Sequence, residues 1–230
     1  MVTAGAPRVA RHWLAAFLAR DGRLFARQWS VAGDVIAASL LWMLLPLLAV
    51  EVFPAGAAEI ARAMLVLLAT GIGYEVGARA LAFERAGLAW VRLAPLGALR
   101  WVLGRLAGVA LLAGALLVAA GTAVTLAFRL PPASLPALAM WPVAAAAVSI
   151  GLGLLTGAAF ADPAWSHPRA MLNTPGRLAG TVLLVLQAAG WLWLAGEEPG
   201  PHPGLLLLGA GVGAAALVLL AARVLERREF

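Results

Sequence analysis

Apolar residues run along this chain in long blocks, broken at intervals by arginine, proline and glycine. Six blocks reach the roughly 20 residues that a helix needs to cross a bilayer. They cover residues 31–53, 60–82, 102–128, 138–160, 178–195 and 204–224. A different pattern precedes them over 9–28. At helical spacing, Trp13, Leu14, Phe17, Leu18, Leu24 and Phe25 fall within an arc of about 140°. Arg8, Arg11, Arg20, Arg23 and Arg27 lie outside that arc. Such a segment predicts an amphipathic helix lying in the membrane interface, or one packed on a partner. The expected fold class is all-α. It is a polytopic membrane protein with six transmembrane helices behind an amphipathic interfacial helix, one domain over 1–230 with its bundle in 31–224.

Composition supports lipid as the solvent. Of 230 residues, 63% are hydrophobic and 12% charged, against about half and a quarter in soluble domains. The first 28 residues carry five arginines and no uninterrupted apolar core, which argues against a secretory signal peptide. The net charge of +6 comes from 17 arginines and no lysine. These arginines flank apolar runs, which points to lipid phosphates and not to nucleic acid.

Their distribution sets the expected orientation. With six spans, 15 of the 17 fall on one side, and only Arg62 and Arg129 fall on the other. Basic loops stay in the cytoplasm, so both termini are expected there, in the inner (cytoplasmic) membrane. Glu51, Glu59, Glu197 and Glu198 occupy the opposite, short loops.

Several chemistries are excluded. Without lysine there is no P-loop, so any nucleotide motor is a separate subunit. His12, His167 and His202 are far apart, so no metal site is expected. There is no cysteine, hence no thiol chemistry. No serine has a nucleophile-elbow context. No catalytic residue and no resident cofactor are expected.

Charges inside spans cost about 2.5–3.5 kcal/mol each on insertion scales. Glu75 and Arg79 stand one turn apart in the favourable order. They read as a buried ion pair tethering the bundle, or as a relay between a transport path and the next loop. Asp34 near the start of the first span pairs with an arginine or binds a proton. Tyr74 and Gln187 face a cavity or bond between helices. Glycines recur inside the spans, among them Gly71, Gly73, Gly77, Gly151, Gly153 and Gly157. Small residues there let helix backbones approach closely.

Two cytoplasmic segments stand out. The stretch 83–96 is too polar to span and too apolar to be a free loop. It contains Glu84, Arg85, Gly87, Leu88, Trp90, Arg92, Leu93 and Pro95. It reads as a short amphipathic helix along the inner face, either a connector or a docking surface, broken by Pro95. The stretch 160–171 contains Asp162, Trp165, Pro168 and Arg169.

These residues resemble the permeases of type-2 ATP-binding-cassette (ABC) exporters. Such proteins carry F-x-x-E-R-x-x-G-x-x-x-x-L-x-x-x-P between their second and third spans. Here Phe83 adjoins Glu84, and Gly87 falls two after Arg85. The second stretch is similar to a D-x-x-W-x-x-P-R segment of some large exporters in this class. The resemblance implies that 83–96 is a coupling helix seated on the ATPase, with 160–171 completing that face. It implies that 9–28 is the connecting helix. It implies an ABC ATPase partner holding ATP and Mg, and a homodimer or a second permease. Alternating-access export would follow, with the path between two permease copies. Haem-exporter permeases are a sub-alternative. A membrane scaffold or assembly protein without transport, or an intramembrane enzyme, would belong to other classes. The segment 196–203 is too short for the re-entrant hairpin that many of these permeases carry before the last span.

Overall fold

The computed structural model describes residues 13–27, 57–84, 88, 97–131, 135–166, 170–196 and 203–228. Helix α1 is Trp13–Arg27, within the segment expected to be amphipathic. Five longer helices follow: α2 Ala57–Ala82, α3 Gly97–Ala127, α4 Leu135–Phe160, α5 Thr174–Gly196 and α6 Pro203–Arg227. No strand is formed among the described residues; one isolated bridge joins Ala161 and Leu172.

Each of α2 to α6 contains a stretch long and apolar enough to cross a membrane. They correspond to the second to sixth expected spans. The expected first span, 31–53, and its Asp34 lie outside the described residues. The outer helices carry apolar side chains facing outward: Leu111, Val118 and Leu126 on α3, Val182, Leu186 and Trp193 on α5, Leu205, Leu208 and Val212 on α6. No soluble monomer keeps that much contiguous apolar surface in water. The chain is a multi-pass helical membrane protein.

Helices α2 and α4 form the centre, and glycine explains how closely they meet. A Cβ on Gly77 would lie 2.7 Å from the Ile150 carbonyl oxygen, and one on Gly157 2.6 Å from that of Ala78. Only glycine allows these backbones to touch, which is how helices gain contact in lipid without a hydrophobic drive. Gly151 similarly meets Leu217 on α6. Gly71, Gly209, Gly211 and Gly213 face open space instead.

Helix α3 starts five residues before the expected span. Gly97 takes a left-handed φ of 71°, which glycine alone adopts without cost. The helix then includes Arg100 and Trp101 and continues for 31 residues. Pro142 lies inside α4, as membrane helices tolerate when neighbours satisfy the freed carbonyl.

Contacts place the ends of the bundle. The end of α2, the start of α3, the end of α4, the start of α5 and the end of α6 share one end. At the opposite end, Ala61 and Met64 pack on Val124 and Phe128. Among the described residues, Arg62 and Arg129 are the arginines at that opposite end. The remaining ones gather at the first, which is the basic end.

Candidate functional site

At the basic end, α2 runs out through a tight turn in which the Glu84 amide donates to the Leu81 carbonyl. The turn directs the Glu84 side chain inward. Its carboxylate pairs with Arg105 on α3 and, at 2.5 Å, with Arg20 on α1. Glu84 is 8% exposed and Arg105 3%, whereas Arg20 is 46% exposed. The Arg105 guanidinium also lies over the Trp101 ring, 5.2 Å from its centroid. One carboxylate therefore ties three helices together. Burying it is tolerable because opposite charges replace water on it.

The second stretch, 160–171, closes on the same place. The buried Trp165 indole donates to the Ala82 carbonyl at 2.8 Å. That carbonyl lies in the last turn of α2, where no intrahelical partner exists. The stretch is pinned internally too. The Asp162 amide donates to the Met171 carbonyl at 2.8 Å. Asp162 Oδ1 accepts from the Ala164 amide at 2.8 Å, a side-chain turn that suits an Asp-Pro pair. Asn173 caps α5 by accepting from the Gly176 amide at 2.9 Å.

Arg228, just beyond α6, donates to the carbonyls of Ala158 and Ala161 at 3.0 and 2.6 Å. A cation there also meets the negative end of the α4 dipole. Burial lowers the Arg228 pKa from its ordinary value, and the charge of Asp162 opposes this. Leu81, Leu88, Trp101, Trp165, Met171 and Leu225 fill the space between these polar ties as one apolar cluster.

So Glu84, Leu88 and Trp165, from the two sequence-defined stretches, are brought into one ledge, and all three side chains face the chain itself. Asp162 sits at its rim. Arg85, Gly87, Trp90, Arg92, Leu93, Pro95, Pro168 and Arg169 lie outside the described residues. Glu75 and Arg79 form their pair at 2.9 Å within α2, with Glu75 40% exposed, so the pair is neither fully buried nor the expected tie between helices. Tyr74 is buried, its ring against Gly180 of α5. Gln187 of α5 meets the Ser149 hydroxyl of α4 at 2.5 Å, so both polar residues lie between helices.

Sequence reasoning missed Arg20, Trp101, Arg105 and Arg228 as members of the site. For Arg105 a signal existed. It lies inside the expected third span, where a lone charge demands a partner.

Among the described residues, no group of three histidine, cysteine or acidic side chains could hold a metal. The ledge joins α1, α2, α3, α4 and α6 through charged or buried contacts. Comparison with protein families, characterised proteins and solved structures finds no match for this chain.

Proposed function

We propose that this chain is the membrane-spanning permease subunit of a type-2 ABC exporter, driven by a separate ATPase subunit that binds ATP and Mg. One observation carries the reading. Leu88 and Trp165, one from each of the two stretches that resemble exporter coupling segments, pack in one buried cluster at the basic end, and Trp165 donates to the Ala82 carbonyl one residue before the first stretch begins. Two loops built to receive force from one partner need such a common footing. In this reading the basic end is cytoplasmic, as the arginine rule expects. Two permease copies, or this one and another, flank the path. Glu84 carries motion from the coupling segment to α1 and α3, and does not touch the ATPase.

The docking surface is therefore tested at Trp90 and Arg92, leaving Glu84 in place. The tagged chain, purified from native membranes in mild detergent, should bring down an ATPase with a P-loop lysine, identified by mass spectrometry. Trp90→Ala with Arg92→Ala should remove that ATPase and its stimulation while leaving the thermal midpoint unchanged. Recovery of the chain without any nucleotide-hydrolysing companion sinks the proposal.

A further inference from the structure

Among the described residues, an open groove of about 1060 Å³ lies between α3, α4 and α6. Its walls are apolar, with Leu103, Val118, Val143 and Leu219 among the lining residues, all of them exposed. Thr122 and Thr125 also line it, but their hydroxyls donate back to the Val118 and Gly121 carbonyls at 2.8 and 2.7 Å. The groove therefore offers hydrocarbon contact and little polar recognition. Along α3 it extends from Leu99 to Leu126, about 40 Å at the helical rise. That exceeds the roughly 30 Å hydrocarbon core, so its basic mouth reaches headgroup level.

Charge at that mouth selects the occupant. Arg100 is exposed beside Leu99 and one turn before Leu103. Arg223 is exposed on α6, one turn beyond Leu219 on the same face. Each wall thus has an exposed arginine within one helical turn of its lining residues at this end. Glu226, three residues past Arg223, is the acidic group near them on α6, and Arg227 follows it. Glu84 is committed to Arg20 and Arg105. A second copy placed here about a two-fold axis along the membrane normal would set these arginines against their own equivalents, a costly juxtaposition. Basic pockets between membrane helices on the cytoplasmic side suit anionic lipid headgroups.

We propose that this groove is a binding site for an anionic membrane phospholipid, its acyl chains between α3, α4 and α6 and its headgroup at Arg100 and Arg223. The site lies beside the bundle and stands whether or not an ATPase drives the chain.

Glycine supplies a clean test. Gly114 and Gly121 line the groove, and a Cβ on either meets nothing within 4 Å. Leucine at these positions fills the groove, and it favours helix over glycine. The protein is equilibrated with vesicles of equal phosphatidylglycerol and phosphatidylcholine, extracted, and analysed by native mass spectrometry. The wild-type chain should retain phosphatidylglycerol in preference. Gly114→Leu with Gly121→Leu should lose retained lipid at an unchanged thermal midpoint. Arg100→Gln with Arg223→Gln, both at exposed positions, should cut the preference about thirtyfold, the sum expected for two surface arginines. Arg129→Gln, at the opposite mouth, should not.

Equal retention of both lipids, or of neither, overturns the proposal. So does full retention by the leucine variant, or a loss that follows Arg129 alone. The chain has no cysteine, so Val118→Cys reports any protein occupant. Disulfide capture of a second copy, or of Leu44→Cys within the same chain, also overturns it.

Discussion

Replacing Glu84 by glutamine removes the carboxylate that Arg105 and Arg20 share. Arg105 is 3% exposed, so water cannot take over the lost interaction. Breaking a buried pair by removing one partner costs about 3–5 kcal/mol. Trp101 lies under the guanidinium at 5.2 Å before and after the substitution, so that contact cancels from the difference. The expected loss for Glu84→Gln is thus about 3–5 kcal/mol. Arg20 is 46% exposed, so Arg20→Gln should cost under about 1 kcal/mol, as for a solvent-screened pair. Arg105→Met combined with Glu84→Gln leaves no buried charge at the junction and should recover most of the single-variant loss. Unfolding free energies from SDS titration in mixed micelles, followed by tryptophan fluorescence, complete the double-mutant cycle. Equal losses for Glu84→Gln and Arg20→Gln refute the burial argument. A double variant that loses the sum of the two single losses refutes the pairing.

The central helix contact is tested by Gly77→Ala, whose methyl would lie 2.7 Å from the Ile150 carbonyl oxygen. It should lose about 1–3 kcal/mol by overpacking in the same titration. Gly71→Ala, which meets nothing within 4 Å, should lose nothing and gain up to about 1 kcal/mol of helix propensity. Trp165→Phe keeps the ring but strands the Ala82 carbonyl, at a cost of about 1–3 kcal/mol. Trypsin should then cut faster at Arg169, and an unchanged cleavage rate would count against a restraining role for the indole bond.

The five described spans were legible because lipid imposes a simple rule on the chain. A backbone in hydrocarbon must satisfy its own polar groups, so each crossing is a long apolar helix. The Glu75–Arg79 pair was legible for a similar reason, since i,i+4 spacing alone sets it. The ledge was legible only as two suspicious stretches. The helical start of α3 lies ahead of its apolar run, because Gly97 lets the helix begin before Arg100 and Trp101.

What the amino-acid order determined by itself is therefore the set of apolar helices and the gathering of arginine toward one end. Both follow from local composition. What the tertiary structure alone decided is which side chains meet. Glu84 finds Arg20 across 64 positions of sequence, and no periodicity encodes that distance. The meeting depends on how far helices slide and rotate against each other. For α2 and α4, whose placement brings Trp165 to the Ala82 carbonyl, that register is set where Gly77 and Gly157 let the two backbones touch.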